Sequence, residues 1–179
     1  MKKLFVVAVI LLAFVSSAFA SLNDDLIQAV QNKYTSPKRI QSLIKSGADI
    51  NARDDEGYTV LTLAVIRTGN IKAIKALIDS GADVNARHDD LTALMFAAQL
   101  SNNPEVIKTL INGGADPNSQ DNNGMTALMY AVASQNDLEI IKALIDSGAD
   151  IYVKDNQGKT ALDYANNEEV KKIILDAAR

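Results

Sequence analysis

The decapeptide Ile-Lys-Ala-Leu-Ile-Asp-Ser-Gly-Ala-Asp occupies residues 74–83 and recurs without change at residues 141–150. Its last three residues, Gly-Ala-Asp, also begin at Gly47 and Gly114, so four copies are spaced by 34, 33 and 34 residues. A second marker, Thr-x-Leu, keeps the same period and begins at Thr59, Thr92, Thr126 and Thr160. A period of this length predicts one supersecondary unit per repeat, and such units must stack to bury their apolar faces.

The unit at residues 54–86 shows how one repeat is expected to fold. Gly57 suits a turn that needs a positive φ, and the Thr59 hydroxyl is a natural N-cap for a short first helix that runs to about residue 67. Gly81 predicts a left-handed C-cap that ends a second helix. The apolar residues of this second helix fall at helical spacing, at Ile71, Ile74, Leu77 and Ile78. The pattern predicts an all-α solenoid of helix-turn-helix units with projecting β-turns.

The first twenty residues have the pattern of a secretory signal peptide. Lys2 and Lys3 form a positive head, residues 4–15 are all apolar, and Ala18-Phe19-Ala20 is a small-x-small cleavage site. Cleavage after Ala20 would leave a mature chain of residues 21–179. A retained membrane anchor is the alternative, but the apolar run is at the short end for a bilayer of about 30 Å.

Composition excludes several classes of function for the mature chain. Removing Lys2 and Lys3 leaves 16 basic and 22 acidic side chains, a formal charge of −6. The sequence shows no basic stripe to displace counterions from phosphates, so nucleic acid is not an expected partner. The chain has no cysteine, which removes thiol chemistry and disulfides.

The residues from Gly57-Tyr58-Thr59-Val60-Leu61 to Gly81-Ala82-Asp83-Val84-Asn85-Ala86 resemble an ankyrin repeat, as do the two units that follow. The resemblance extends over essentially all of the mature chain and implies about five stacked units. These are an N-terminal cap at residues 21–53, internal repeats at 54–86, 87–120 and 121–154, and a C-terminal cap at 155–179.

The chain departs from the family pattern at several places. The family's Thr-Pro-Leu-His loses its proline and histidine in every unit, and Met95 and Met129 are expected to replace a hydrogen bond by apolar packing. Asp90 stands in place of the turn glycine and Tyr152 in place of the turn asparagine, so both turns are expected to differ in shape. The inter-helix loops at residues 67–70, 100–104 and 134–137 are one residue longer than is common.

A search for chemistry gives no catalytic constellation and no metal motif. His88 is the single histidine; it is expected at the surface of a turn, with no nucleophile turn nearby. The stretch 116–124 fails the calcium-loop pattern because its sixth position is Asp121 and not glycine. We therefore expect no enzymatic activity, no cofactor and no metal.

The resemblance implies a binding surface instead, made by the turn tips and the exposed side of the first helices. Tyr58, Leu91 and Met125 occupy equivalent places and predict an apolar stripe, which either meets a partner or leans on the adjacent repeat. The acids on the tips either favour a basic partner or form a solvated rim. The positions that the resemblance assigns to recognition are Asp55, Glu56, Tyr58, Ile66, His88, Asp89, Leu91, Gln99, Asn122, Asn123, Met125, Ala133, Asn156, Gln157 and Lys159.

These observations lead to three hypotheses of function. The first is a monomeric, non-enzymatic protein-binding module that is exported to a bacterial periplasm, has no membrane contact after cleavage, and stabilises or inhibits another protein as an immunity-type inhibitor does. The second is a secreted effector that acts on a protein of a host or competitor cell. The third is a structural spacer without a specific partner.

Overall fold

Two layers of short helices stack along the chain in this computed structural model, which describes residues 21–134 and 137–178. The expected signal peptide, residues 1–20, lies outside the described residues, as do residues 135–136 of the third inter-helix loop and the terminal Arg179. Within the described ranges, no helix combines the length and the apolar character needed to cross a bilayer.

Helices of the two layers alternate along the chain. A helix at residues 21–31 (α1) comes first. In the first layer, α3 and its π-helical continuation pack on α5, α5 packs on α7, and α7 packs on a 3-10 turn. In the second layer α2 packs on α4, α4 on α6, α6 on α8 and α8 on α9. The bounds are α2 Pro37–Lys45, α3 Val60–Leu63, α4 Ile71–Asp79, α5 Ala93–Leu100, α6 Pro104–Asn112, α7 Ala127–Ala133, α8 Leu138–Asp146, the 3-10 turn Ala161–Tyr164 and α9 Glu168–Ala177.

The expected helix ends are confirmed. The hydroxyls of Thr59, Thr92 and Thr126 accept the backbone amides three residues later, at 3.1, 3.3 and 3.3 Å. Pro37 and Pro104 open the second helices of their units, and Gly81 has a φ of 94° after α4. These ends recur because each depends on residues within one turn of the helix.

The extra residue of the inter-helix loop at residues 67–70 is taken up by the first helix of the second unit. The expected α-helix to about residue 67 instead changes after Leu63 into a π-helical turn at Ala64–Thr68. The Thr68 hydroxyl donates to the carbonyl of Ala64 at 2.9 Å, and Gly69 ends the turn with a φ of 56°. A π-turn holds one more residue per hydrogen-bonded ring than an α-helix, which explains the longer segment.

The core runs without a break between the two layers of helices. It contains the positions, such as Met95 and Met129, where the resembled repeat pattern has a histidine. Met95 and Met129 are each 1% exposed, which confirms the expected packing in the core, but the Met95 sulfur also accepts the amide of Thr92 at 3.5 Å. In the second unit, the hydroxyls of Thr59 and Thr62 lie 3.0 Å apart in the core. At the C-terminal end, the apolar residues Val170, Ile173, Ile174 and Leu175 predict one inward face for α9; Val170 and Ile174 are buried, but Leu175 is 49% exposed and does not belong to that face.

Asparagines join the first four units to one another along the second layer. The pattern predicts local turn bonds here, and Asp83 does accept the amide of Asn85 at 3.0 Å. Asn85 itself reaches the next unit, where its side chain donates to the carbonyl of Gly114 at 2.9 Å and accepts the amide of Asp116 at 3.0 Å. Asn51 and Asn118 accept equivalent amide bonds from the next unit, whereas Asn23 accepts the amide of Asp49 within the first unit.

Replacing Asn85 by alanine is expected to lower the free energy of unfolding by about 1 kcal/mol, because two exposed inter-unit hydrogen bonds are lost and water replaces them only in part. Urea unfolding followed by circular dichroism measures the effect. Tyr152 takes the equivalent place in the fourth unit and is 65% exposed, so Tyr152→Ala serves as the control. Equal stabilities of the two variants would contradict a bridging role for Asn85.

Candidate partner-binding surface

The turn tips of units 2, 4 and 5 share one internal hydrogen-bond pattern. Asp54 opens the second unit's tip, and its carboxylate accepts the amides of Glu56 at 3.1 Å and Tyr58 at 2.9 Å. Asp121 and Asp155 do the same two and four residues ahead, at distances of 2.7–2.9 Å. These three aspartates shape the tips, a role that the sequence pattern did not indicate, because it predicts for the tip acids either a basic partner or a solvated rim.

The third unit's tip differs, as expected from Asp90. Thr92 pairs with Arg87, five positions before it, whereas in the second unit Thr59 pairs with Arg53, six positions before it. Asp89 and Asp90 have φ values of 45° and 67°, which is the two-residue turn that suits a tight hairpin. The turn joins two short antiparallel strands, β1 (Arg87–His88) and β2 (Leu91–Thr92).

Three long side chains, spaced by 34 and 33 residues, bind consecutive tips together. Arg53 donates to the carbonyl of Gly57 at 2.6 Å in its own tip and to that of Arg87 at 3.1 Å in the next. Arg87 likewise donates to the backbone carbonyl of Asp90 at 2.7 Å and to that of Gln120 at 3.0 Å. Gln120 repeats it toward the fifth unit. No local pattern indicates this bridge, although basic or amide residues at a 33–34-residue spacing could have suggested it.

The last three tips are also joined at their outer ends. Asn122 donates to the Asp90 carboxylate, and Asn156 donates through its side chain to the carbonyl of Asn122 at 2.8 Å. The backbone amide of Asn156 donates to the carbonyl of Asn123 at 2.9 Å. Two expected recognition residues, Asn122 and Asn156, therefore use their side chains to hold neighbouring tips in place.

His88 does not lie at the turn surface where sequence analysis placed it. Its side chain is 13% exposed and its ring lies 3.8 Å from the ring of Tyr58, centroid to centroid. Phe96 completes an aromatic cluster, 5.7 Å from Tyr58 and 6.2 Å from His88. The shorter tip brings His88 to the place that Asp54 occupies in the second unit, where it packs on the preceding tip instead of capping its own.

The expected apolar stripe packs against the stack. Tyr58, Leu91 and Met125 are half-buried and contact the core, so they do not form an exposed stripe. Ile66 is half-buried in the same way. The side chains lean inward because each neighbouring unit offers apolar surface, as the alternative interpretation of the stripe predicted.

The remaining expected positions are exposed, and we call them the tip face. Asp55, Glu56 and Asp89 carry negative charge; Glu56 lies 3.7 Å from Arg67. Lys159 lies 5.4 Å above the ring of Tyr164. The full tip face consists of Asp55, Glu56, Asp89, Gln99, Asn122, Asn123, Ala133, Asn156, Gln157 and Lys159.

Two tyrosines of the first layer anchor the tips of the last two units. The hydroxyl of Tyr130 donates to Asp121 at 2.7 Å, and the hydroxyl of Tyr164 donates to Asp155. Burial, with the bond to Asp121, raises the pKa of Tyr130 to about 12, so this hydroxyl remains a donor at neutral pH. The Tyr164 hydroxyl, followed by the amides of Lys159 and Gln157, lowers the pKa of Asp155.

Replacing Asp155 by asparagine is expected to reduce the fall in the free energy of unfolding as the pH is lowered. A carboxyl with a lowered pKa in the folded state stabilises the fold above its unfolded pKa of about 4, and this contribution is lost as the pH falls through the folded value. The variant should be less stable at pH 7 but lose less between pH 5 and pH 2. Urea unfolding at several pH values measures this, and Tyr164→Phe should shift the curve in the same direction. A wild-type acid dependence in both variants would contradict the expectation.

The surface offers hydrogen-bond donors, acceptors and charges but no assembled reaction centre. Within the part of the chain that the structure describes, no three His, Asp or Glu side chains come together as a possible metal site. Rigid backbone at the tips and exposed polar side chains are suited to recognition of another macromolecule.

Comparison with known proteins agrees with this architecture. The family model described as "Ankyrin repeats (3 copies)" matches residues 26–121 and again residues 94–179, so the two matches together span nearly all of the described chain. No curated protein matches the chain.

Proposed function

Because the chain belongs to the ankyrin-repeat proteins, whose repeats generally serve as protein-protein interaction modules, we propose that it is a non-enzymatic module that binds a protein partner through the tip face. The family model supports protein binding in general terms. The geometry of the tips supports the tip face as the binding surface. What the protein does to its partner is proposed from the sequence.

The observation that carries this proposal is the fixed backbone beneath exposed side chains. Each tip is held internally by Asp54, Asp121 or Asp155 or by a tight hairpin, and consecutive tips are held by Arg53 or its equivalents. A surface that is ordered before binding loses less conformational entropy when the partner docks. The exposed tip-face residues other than Asn122 and Asn156 can then vary without disturbing the stack.

We propose further that the protein acts as a monomer in a bacterial periplasm and stabilises or inhibits its partner. The signal-peptide pattern of residues 1–20 supports export. Fractionation of cells that express the tagged full chain tests this, and the expected result is a periplasmic protein that begins at Ser21. Mature protein found only in the medium would favour the secreted effector, and an uncleaved chain would overturn export by this route.

Affinity capture from periplasmic extract tests the tip face. The variant Gln99→Arg, Asn123→Arg, Gln157→Arg adds three charges at exposed positions, and it avoids the half-buried Tyr58, Leu91 and Met125. The matched control adds the same charge at exposed positions away from the tips, by Asn102→Arg, Asn112→Arg and Asn166→Arg.

We expect one protein to be retained by the wild type and the control and to be lost by the tip-face variant, with all three proteins folded by circular dichroism. Equal capture by all three would place the binding surface elsewhere. Capture of no protein by the wild type would favour the spacer or an extracellular target.

A further inference from the structure

The second layer carries a repeating ion pair in the last three units. In α6 the Nζ atom of Lys108 lies 2.9 Å from Oε1 of Glu105. In α8 the Nζ atom of Lys142 lies 2.8 Å from Oε1 of Glu139. The pair in α9 has the same three-residue spacing and a distance of 2.9 Å. In each helix the glutamate stands in the first turn, where the helix dipole favours a negative charge.

The first two units break this pattern. By register, Lys38 in α2 and Lys72 in α4 take the place of the glutamate, and Gln41 and Lys75 follow three residues later. Neither helix has an acidic residue in its first turn. Across residues 21–134 and 137–178, no ion pair includes Lys38, Lys72 or Lys75. A cation in the first turn opposes the helix dipole, so Lys38 and Lys72 cost local stability.

The unpaired lysines line two adjoining surface grooves. One lies between α2 and α4 and is lined by Pro37, Gln41, Lys72, Lys75, Ala76 and Asp79. The other shares Gln41 and is lined by Lys38, Gln41, Ser42, Lys45 and Ser46. We call the two together the lysine groove. The sequence shows no basic stripe because these lysines are spread over two helices that only the stack brings together.

We propose that the lysine groove binds an acidic segment of a second protein, independently of the tip face. The chain has an overall negative charge, so its net charge does not attract carboxylates. The local positive charge of the four lysines that line the lysine groove does attract them. The depression between α2 and α4, which Lys72 and Lys75 line, admits an extended peptide, whereas the flat surface of a bilayer meets only its rims. Lys38 and Lys45 extend the basic surface along α2. Asp79, at the C-terminal end of α4, repels a carboxylate placed beside it, so the acidic residues of the segment are expected to meet the lysines away from Asp79.

The repeat pattern itself supplies a variant that should fold well. Lys38→Glu with Lys72→Glu restores the acidic first turn of the later units, and the second change places a carboxylate three residues before Lys75, as in α6 and α8. The control, Lys108→Glu with Lys142→Glu, changes the net charge equally in units 3 and 4 of the same layer. Thermal unfolding by circular dichroism should show no loss of stability in the groove variant.

The binding experiment uses a fluorescein-labelled peptide of ten glutamates and fluorescence anisotropy at low salt. We expect wild-type protein to bind the peptide, the groove variant to bind about tenfold or more weakly, and the control to change by less than about threefold. Vesicles that contain phosphatidylglycerol are tested in parallel.

Three outcomes would overturn the proposal. Absence of peptide binding by the wild type would show that the groove has too little affinity for carboxylates. Equal weakening in both variants would show a response to net charge alone. Binding of the vesicles but not of the peptide, lost in the groove variant, would assign the lysines to a membrane surface. None of these results bears on capture through the tip face, so the two proposals fail separately.

Discussion

Replacing Gly124 by alanine is expected to lower the free energy of unfolding by about 2–5 kcal/mol. Gly124 has a φ of 78°, where a side chain is strained. A Cβ atom at this position would also lie 2.7 Å from the amide nitrogen of Asn156 and 2.9 Å from the Cα of Asp155. Both neighbours are backbone atoms of the next tip, so the junction between the fourth and fifth units must open to make room.

Gly158 provides a matched control for this change. It occupies the same place in the last tip, has the same φ of 78°, and an added Cβ would meet no atom within 4 Å. Gly158→Ala should therefore cost only the backbone strain, about 1–2 kcal/mol. The difference between the two variants in urea unfolding isolates the contact between tips. Equal losses would show that the last two tips do not press together in solution.

Replacing Leu94 by alanine is expected to lower the free energy of unfolding by about 2–5 kcal/mol. Leu94 lies in α5 of the central unit, is 1% exposed, and belongs to the continuous core. Its removal leaves a cavity in the layer that joins the second unit to the fourth, through the packing of α5 on α3 and α7. A solenoid has contacts only between neighbours, so no distant part of the chain can close this gap.

Leu175→Ala makes the same chemical change at a position that is 49% exposed in the last helix. We expect a loss below about 1 kcal/mol for this control, because little apolar surface leaves the core. Chemical unfolding of both variants beside the wild type measures the difference. Similar losses would contradict the assignment of Leu94 to the core of the central unit.

The candidate site was less predictable than the fold. The pattern correctly places Asp55, Gln99 and Gln157 on exposed positions, because the register of the repeat sets which side of each unit they occupy. It places His88 wrongly, because the ring's burial depends on Tyr58 of the preceding unit. The expected stripe fails for the same reason, since the surface that buries it belongs to neighbouring units.

The sequence by itself determined the number of residues per unit, the threonine caps, the glycine turns and the order of the helices. Each of these depends on bonds or backbone angles within a few residues, so a local pattern is enough to specify them. Only the tertiary structure decided the bonds between tips, the burial of His88 and the placing of Lys38 and Lys72 in two adjoining depressions. These features join residues about 33 positions apart, and their distances depend on how one unit is rotated and displaced against the next.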